Sequence, residues 1–598
     1  MSLADRPDLA RHALFTGVSD AALDALATAS KRKPVRGGEL LVAQGDDAGA
    51  LYFVESGRFR VVVNKLHIVA FIEAGEAVGE LAFFAGGKRT ADVIATRDSA
   101  VLEVSRSAFD AIAQEHPELT QAMLKLVSQR LVVATARTAS VSSSTPRVIA
   151  ILPAGNSPLP EELLPRLTAA FEAVVKPETP VIAVDRHSCP ATDGDGYQAW
   201  LAQQEAKGAY VLIDGSGADK WGRQVCRNAD GLVMVGRPDT CDAEPNAMER
   251  AAMDWVPAPQ RTLLLVREKA TDPIANSGAW IDPRDPKLHH HVALDSAKGR
   301  DCDFAKVARF LTGRAIGLVL AGGGALGCAH LGVVQALRDA RIPIDFIGGA
   351  SAGAAMGAAI ASGLSVDETL DQMEAMFIKA KAMRRLTLPL YSLLDPTVFD
   401  AELRQRYGSA DIADQPIGFF GVSTNLSTNG LHIHRRGPLW ESVRASGSLP
   451  TILPPFIDRA GNILVDGGVL DNVPVKIMHG LKTGPNIVVS LGDPDEIWRA
   501  PVEYDDIRGR WTLLRDVLLR RKREAEFPSI IEIMSRSMVV ASRMASKEML
   551  GEDDILVNPP VIPDMQILDW HLGRELAAMT AEYITKQVID SAGLRGLG

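Results

Sequence analysis

The sequence predicts a multidomain protein with an N-terminal β-barrel over residues 1–140, a middle α/β domain with a parallel sheet over 147–312, and a C-terminal α/β domain over 313–598. The chain has 598 residues, and at about 100 to 200 residues per domain this length corresponds to roughly three to five domains. The pattern of apolar residues also changes twice. It changes at the polar stretch ASVSSSTP (residues 139–146), which is typical of a solvated linker, and again near Gly313.

The first region contains short apolar runs separated by glycine-rich turns. These runs are ELLVAQGD, GALYFVESG, RFRVVVNK, HIVAFIEAGE, ADVIATRD and AVLEVSR. Many short strands at such spacing are typical of a small β-barrel or sandwich. Apolar residues at helical spacing over 107–136 then predict a trailing helix.

In the middle region, five apolar runs alternate with segments long enough to form helices. The runs are VIAILPAG, VIAVD, AYVLIDGSG, GLVMVG and RTLLLV. This alternation of predicted strands and helices predicts a parallel sheet. The region lacks the GxxxxGK[ST] loop that cradles phosphates, which argues against nucleotide hydrolysis. Its three consecutive histidines, residues 289–291, have no cysteine or histidine partner at ligand spacing, so we expect a surface or interface role and no metal site.

Composition narrows the class of protein. Lys and Arg number 64 against 74 Asp and Glu, a net charge of −10, so no overall basic field favours nucleic acid as a partner. The five cysteines are odd in number, far apart and without a CxxC pair, which fits a reducing compartment better than a disulfide framework. The N-terminus lacks the apolar core of a signal peptide, so we expect a cytoplasmic protein.

One uncharged stretch of 21 residues, 346–366, has the length of a membrane span. Its glycines and serines make it only weakly hydrophobic. We therefore predict a packed strand, a tight turn and a buried helix there, and no transmembrane helix.

The same stretch contains a GxSxG motif, Gly349-Ala350-Ser351-Ala352-Gly353. In such a motif the serine stands on a sharp strand-to-helix turn, where the flanking glycines avoid clashes and the hydroxyl is exposed. Ser351 is therefore the candidate nucleophile. The alternative is a simple turn of small residues under a tightly packed helix.

A glycine-rich loop lies 27 residues upstream and contains Gly322, Gly323, Gly324 and Gly327. Without side chains, such a loop can turn its backbone N–H groups toward the oxyanion of a tetrahedral intermediate. The alternative is the GxGxxG loop of a dinucleotide-binding domain. Asp345 argues against that alternative, because it precedes the next apolar strand, whereas a ribose-binding acid lies at the strand's end.

The candidate base is Asp466, which ends the apolar run Ile463-Leu464-Val465 and precedes two glycines. A carboxylate with an ordinary pKa of about 3.9 is a poor base, so burial would have to raise the pKa of Asp466. On this hypothesis Asp466 takes the Ser351 proton directly, since His330 is expected to point along the helix after the glycines. The alternative is an aspartate that caps a Gly-Gly turn.

Four ordered blocks of sequence resemble the patatin-like phospholipase family, and most closely its branch related to neuropathy target esterase. They are LTGRAIGLVLAGGGALGCAHLGVVQAL, IDFIGGASAGAAMGA, LWESVRASGSLPTILPPF and ILVDGGVLDNVPV. The segments ASRM, DILVNPP and ILDW extend the resemblance toward Trp570.

This resemblance implies a serine esterase that hydrolyses acyl esters of phospholipids or lysophospholipids through a Ser–Asp dyad, without a required cofactor. Ser351 matches the nucleophile, Asp466 the second dyad member, and Gly322, Gly323, Gly324 and Gly327 the oxyanion loop. The family usually has Arg or Lys where this chain has Leu326, which implies reduced activity or a structural role for that basic residue. The alternative function is a non-catalytic regulator that responds to lipid or nucleotide.

A second resemblance lies in the β-rich region, where the runs VGELAFF (78–84) and RTA (89–91) are similar to the phosphate-binding cassette of cyclic nucleotide-binding domains. It implies that Glu80 contacts the ribose hydroxyl and Arg89 the cyclic phosphate, with Gly79, Leu81 and Ala82 in the short loop. Thr90 favours cGMP over cAMP as the effector, and Lys88 replaces a frequent proline. The alternative is an exposed ion pair between Glu80 and Arg89.

Two features predict peripheral contact with the inner membrane surface. One is the Arg-rich segment 508–523, for which the alternative is a solvated helix face, and the other is the apolar run LPTILPPF (449–456), whose exposure the sequence leaves open. Acyl length, headgroup, the role of the middle domain and the oligomeric state stay open at this point.

Overall fold

The computed structural model describes residues 18–63, 67–120, 122–123, 145–192, 194–217, 220–297, 302–491, 499, 509, 533, 536, 549–563 and 565–589. The chain divides into two compact units, one of Met1–Pro273 with Ser277–Arg314, the other of Ile274–Asn276 with Ala315–Gly598. Apart from Gly509, the predicted Arg-rich segment lies outside the described residues, as do residues 139–144 of the predicted linker.

The first unit begins with two antiparallel four-stranded sheets, which confirms the predicted β-rich N-terminal domain. Their orders are β1-β8-β3-β6 and β2-β7-β4-β5. The strands are β1 (Lys31–Val35), β2 (Leu40–Val42), β3 (Ala50–Ser56), β4 (Arg58–Val63), β5 (His67–Glu73), β6 (Ala77–Val78), β7 (Asp92–Ala95) and β8 (Ser99–Ser105), and the helices are α1 (Asp20–Ala29), α2 (Glu80–Ala85) and α3 (Arg106–Glu115). Residues of both sheets form a shared core that includes Val35, Phe59 and Val93.

The middle of the chain forms the predicted parallel sheet, with a sixth strand beyond the five predicted runs, in the order β10-β11-β9-β12-β13-β14. Its strands are β9 (Val148–Pro153), β10 (Val181–Val184), β11 (Tyr210–Asp214), β12 (Gly231–Gly236), β13 (Arg261–Arg267) and β14 (Leu288–Ala293). Its helices are α4 (Leu163–Val174), α5 (Gly194–Ala206), α6 (Lys220–Arg227), α7 (Ala247–Trp255), α8 (Ser277–Ile281) and α9 (Asp303–Leu311).

The surface part of the surface or interface role expected for the three histidines is wrong for His290 and His291. They belong to the sixth strand, β14, and both His290 and His291 are buried. The His290 ring lies 4.4 Å from the Phe310 ring of α9, because this helix covers the edge strand. Burial and Lys306 hold the pKa of His290 well below its usual value, so the ring is an uncharged part of the core.

The β-rich region and the parallel sheet of the first unit share a buried group of charged residues. Arg97, between β7 and β8, places its Nε 3.3 Å from Oδ1 of Asp230, and Arg58 Nη1 lies 3.8 Å from the same oxygen. Arg97 also contacts Glu205 of α5. The side chains of Arg58, Arg97 and Asp230 are at most 4% exposed.

The second unit contains an eight-stranded mixed sheet in the order β19-β20-β17-β16-β15-β21-β22, with β18 paired to β17. The strands are β15 (Gly317–Leu320), β16 (Phe346–Ala350), β17 (Gly418–Asn425), β18 (Gly430–His434), β19 (Phe456–Ile457), β20 (Ile463–Asp466), β21 (Asn486–Val489) and β22 (Ile555–Val557). The helices are α10 (Cys328–Asp339), α11 (Ala352–Ala361), α12 (Val366–Met373), α13 (Thr397–Tyr407), α14 (Leu439–Ser446), α15 (Val475–Leu481) and α16 (Gly573–Tyr583).

Strands β15, β16, β17, β21 and β22 run parallel, whereas β18 and β20 pair antiparallel to β17. The carboxyl ends of β15 and β16 therefore meet at one edge of the sheet, where ligands bind in open α/β folds. Residues 346–366 form strand β16 and helix α11, as predicted. Within the described part of the chain, no helix is both long and apolar enough to cross a membrane.

Candidate active site

Ser351 stands on a strained turn between β16 and α11. Its backbone has φ +51° and ψ −120°, a conformation that non-glycine residues rarely adopt and that is typical of a nucleophile elbow. The flanking glycines permit the turn, because a Cβ on Gly353 would lie 2.1 Å from the Leu320 carbonyl oxygen and one on Gly349 2.5 Å from the Gly353 carbonyl carbon. The predicted strand-turn-helix arrangement is therefore present.

Asp466 ends β20 and lies directly beside Ser351, although 115 positions separate them. Ser351 Oγ donates a hydrogen bond of 2.6 Å to Asp466 Oδ2, while Oδ1 accepts one of 2.8 Å from the Gly468 N–H. Pairing of β20 with β17 sets the position of Asp466, opposite Ser423. The Asp466 N–H donates to the Ser448 carbonyl oxygen at 2.9 Å.

Burial raises the pKa of Asp466 to about 6, even though the hydrogen bonds from Ser351 and Gly468 lower it. The side chain is fully buried, so its charged form loses hydration. Near neutral pH this carboxylate is ionised and still basic enough to accept a proton. His330 points elsewhere: its Nε2 lies 2.7 Å from the Ala321 carbonyl oxygen, and burial lowers its pKa to about 4.

Three of the four predicted loop glycines, Gly322, Gly323 and Gly324, line the same cavity as Ser351. The N–H groups of Gly323 and Gly324 make no hydrogen bond to another described residue. The Gly322 N–H instead donates to Asn472 Oδ1 at 3.1 Å. Gly327 ends the 3₁₀ turn Gly324–Gly327 away from the cavity lining, and a Cβ there would lie 2.7 Å from Ala352 Cβ.

Two further residues that sequence reasoning missed hold this arrangement. Asn472 also donates from Nδ2 to the Gly322 carbonyl oxygen at 3.3 Å, so its side-chain amide hydrogen-bonds with both the N–H and the carbonyl group of Gly322. Ser446 Oγ accepts the Ser351 N–H at 2.8 Å and donates to the Val422 carbonyl oxygen at 2.6 Å. Both residues lie inside the motif blocks, which was the only signal the sequence offered for them.

The cavity above Ser351 is largely apolar and has about 860 Å³ of empty space, counting its open mouth. Apolar lining comes from Ala352, Ala355, Phe377, Met383, Phe399, Val443, Leu449, Ile452, Leu453, Ile567, Leu568 and Trp570. The rings of Phe377 and Trp570 stack at 3.7 Å. Ile452 and Leu453, from the apolar run LPTILPPF whose exposure the sequence left open, are buried and line this cavity.

In the N-terminal β-rich domain, Glu80 and Arg89 are both buried, so the alternative of an exposed ion pair is wrong. Arg89 donates from Nη1 to the Gly79 carbonyl oxygen at 2.8 Å and from Nη2 to that of Ala50. A Cβ on Gly79, which has φ +82°, would collide with Arg89. Ala82 is buried, whereas Leu81 and Thr90 are exposed.

Two family models match the chain. The patatin-like phospholipase model matches residues 318–479, which include Ser351, Asp466 and the glycine loop. The cyclic nucleotide-binding domain model matches residues 32–116, which include Glu80 and Arg89.

Several curated proteins are similar over most of the chain. An uncharacterised NTE family protein of Mycobacterium tuberculosis is 30% identical over 485 residues, which cover 80% of this chain and 79% of that protein. The neuropathy target esterase sws of Drosophila melanogaster is 28% identical over 578 residues, covering 88% of this chain and 40% of that protein. A lysophospholipase of Mycosarcoma maydis is 26% identical over 588 residues, which cover 85% of this chain and 31% of that protein. The chain belongs to the NTE family and combines a cyclic nucleotide-binding domain with the ester hydrolase domain of the patatin-like phospholipases.

Proposed function

We propose that this protein is a serine esterase that hydrolyses acyl ester bonds of lysophospholipids or phospholipids, with Ser351 as nucleophile and Asp466 as its base. The single observation that carries the proposal is the 2.6 Å hydrogen bond from Ser351 Oγ to Asp466 Oδ2 at the base of an apolar cavity. A strained serine beside a buried acid with a raised pKa is an activated nucleophile.

In the first half of the reaction, Ser351 Oγ attacks the ester carbonyl carbon while its proton passes to Asp466. Collapse of the tetrahedral intermediate breaks the bond to the alcohol, which leaves with the proton from Asp466. In the second half, Asp466 takes a proton from water as the water attacks the acyl-serine. The proton then returns to Ser351 Oγ as the fatty acid leaves.

The oxyanion needs hydrogen-bond donors that are not already engaged. We assign this role to the N–H groups of Gly323 and Gly324, which border the cavity without another described partner. The Ala352 N–H, at the first residue of α11, is a third donor in the position next to the nucleophile. Gly322 contributes indirectly, since its N–H is held by Asn472.

An acyl chain is the substrate part that matches the cavity lining. Burial of its methylene groups against Phe377, Leu453 and Trp570 is favourable by about 0.8 kcal/mol per CH₂. A relative named as a lysophospholipase is consistent with this class of substrate. We therefore expect activity to rise with acyl length among esters that fit the cavity.

Covalent labelling with a fluorophosphonate tests the proposal. Wild-type protein should react, Ser351→Ala should not, and the matched control Ser362→Ala, at the far end of α11, should react normally. A folded wild type that is neither labelled nor active on lysophospholipids, diacyl phospholipids and short esters would favour the alternative, a non-catalytic regulator.

We also propose that the N-terminal domain binds a cyclic nucleotide, cAMP or cGMP, and thereby regulates the esterase. The supporting observation is that Glu80 and Arg89 are both buried within the matched domain, with Arg89 satisfied by carbonyl groups of its own loop and of β3. A phosphate would replace at least one of these carbonyl oxygens as the acceptor for the guanidinium group.

Thermal unfolding tests this second proposal. Saturating cAMP or cGMP should raise the melting temperature of the wild type, because a ligand that binds only the folded state stabilises it, whereas 5′-AMP should have no effect. Ester hydrolysis measured in parallel should change with the same nucleotide. If neither cyclic nucleotide alters melting or hydrolysis, the domain has no such effector.

A further inference from the structure

A cluster of large apolar side chains is exposed on one loop of the second unit. The loop, residues 384–391, lies between the π-helical segment Glu374–Lys379 and helix α13. Leu386, Leu388, Leu390 and Tyr391 are 81%, 78%, 77% and 82% exposed. Scattered apolar residues on a surface are normal, but four on one short loop indicate a surface that meets an apolar partner.

The loop has an ordered base that adjoins the cavity. An antiparallel bridge joins Leu386 to Leu394, and the Thr387 N–H donates to the Leu393 carbonyl oxygen at 3.1 Å. The N–H groups of Leu393 and Leu394 then donate to the carbonyl oxygens of Thr451 and Ile452, at 2.8 and 3.0 Å. Met383 and Ile452, on either side of this base, line the cavity that contains Ser351.

Basic residues precede the apolar tip. Lys379, Lys381, Arg384 and Arg385 are all exposed, and no acidic residue occurs between Glu374 and Asp395. Apolar side chains next to a basic collar complement a bilayer that contains anionic lipids, since the leucines enter the acyl region while the cations stay among the headgroups.

We propose that residues 379–391 form a docking loop that inserts its tip into an anionic phospholipid bilayer and holds the mouth of the cavity at the lipid surface. This inference rests on the proposed function, because it assigns the loop to delivery of a lipid ester to Ser351. A second copy of the chain fits less well as the occupant. A symmetric contact through this loop would bring two basic collars together, and like charges disfavour such an interface.

Sedimentation of the full chain with vesicles tests the proposal. The probes are vesicles of equal parts phosphatidylglycerol and phosphatidylcholine, and vesicles of phosphatidylcholine alone. The test variant is Leu388→Asp with Leu390→Asp, and the matched control is Leu40→Asp, which alters a leucine that is 48% exposed in the other unit. Hydrolysis of a water-soluble short-chain ester and gel filtration are measured on every protein.

The wild type and Leu40→Asp should bind the anionic vesicles and bind less at high salt, because salt screens the basic collar. The affinity of the double variant for the anionic vesicles should fall by at least about tenfold, because burial of even one leucine side chain raises an affinity by more than a factor of ten. It should keep full activity on the soluble ester and lose activity on vesicle lipid.

The docking-loop proposal is wrong if the double variant binds vesicles as well as the wild type does, or if the wild type does not bind them. A wild-type dimer that the double variant converts to a monomer also overturns it and assigns the loop to a second copy. The two proposals fail separately. If vesicle binding depends on the loop but no ester is hydrolysed, the esterase proposal is wrong and the docking loop stands. If hydrolysis of the soluble ester depends on Ser351 but vesicle binding does not depend on the loop, the docking loop is wrong and the esterase proposal stands.

Discussion

Two buried aspartates in this protein have opposite electrostatic surroundings. Asp466, in the second unit, is fully buried beside a serine hydroxyl and a glycine N–H, and burial raises its pKa to about 6. Asp230, in the first unit, is also buried, and burial by itself raises its pKa as well. Arg97, Arg58 and the N–H groups of Val148 and Arg147 outweigh that effect, so its net pKa is lowered.

The comparison shows that burial alone does not make a carboxylate reactive. Asp230 has its charge compensated and binds the β-rich region to the parallel sheet, which is a structural role. Asp466 has only neutral donors and keeps the basicity that proton transfer needs.

The largest effect is expected for Asp466→Asn. The amide cannot accept the Ser351 proton, so kcat/KM on a short-chain ester should fall by roughly 10⁴-fold, as when a member of a catalytic triad is replaced. Stability should not fall. The folded protein binds the Asp466 proton more tightly than the unfolded chain does, so the ionised carboxylate is a stability cost at pH 7.

Steady-state kinetics and thermal unfolding of the same preparation check both parts. Thr424→Ser is a suitable control, because it keeps the hydroxyl that donates to the Asp466 carbonyl oxygen at 3.0 Å and should retain activity. Activity of Asp466→Asn within tenfold of wild type would remove Asp466 from the reaction.

The opposite pattern is expected for Asp230→Asn. Loss of this carboxylate leaves Arg97 and Arg58 with less compensation in a buried place, so the free energy of unfolding should fall by about 3 kcal/mol. The activity of the folded protein should not change. Urea denaturation measures the effect, and Arg32→Gln, which breaks an exposed pair with Glu55, should cost no more than about 1 kcal/mol.

Much of the architecture could be predicted because it depends on local pattern. The apolar runs of the β-rich and middle regions correspond to strands, and the GxSxG motif forms the expected turn. Strand β14 was missed because three consecutive histidines interrupt its apolar residues. The burial of His290 depends on helix α9, which follows later in the chain. The domain limits 1–140, 147–312 and 313–598 stay predictions.

The contacts that join distant segments could not be predicted from local pattern. Asn472 hydrogen-bonds with Gly322 across 150 positions, and Ser446 accepts the Ser351 N–H across 95. Both residues lie inside the motif blocks, but the blocks do not indicate which distant residue each of them contacts. The same holds for Arg97 and Asp230, which pair between the β-rich region and the parallel-sheet region. The exposed tip of the docking loop is likewise a tertiary property, since LTLPLY has the composition of a buried segment.

The pH dependence should separate the two aspartates. A base must be deprotonated to act, so kcat/KM should fall about tenfold per pH unit below about 6, the pKa of Asp466. The contribution of Asp230 to stability is present above its unfolded pKa of about 3.9 and is lost only as the pH falls through its lower folded value. Near pH 5 the protein should therefore be folded but weakly active.

A pH profile on an uncharged short-chain ester, with circular dichroism at each pH, tests this order of events. The residual activity of Asp466→Asn should not fall below pH 6 as the activity of the wild type does. Coincident loss of activity and structure would show that acid unfolding, and not protonation of Asp466, limits the wild type.

The smallest effect is expected for Leu326→Arg, which introduces the basic residue that the family resemblance implies at this position. Leu326 is half-buried in the 3₁₀ turn and is not among the residues that line the cavity, so a cation there would be partly screened from Asp466 and the oxyanion. The kcat/KM should change by less than about threefold, and Leu326→Met should match the wild type. A gain of tenfold or more, together with an acid limb moved to lower pH, would show that the site gains from the kind of compensating cation that Asp230 already has.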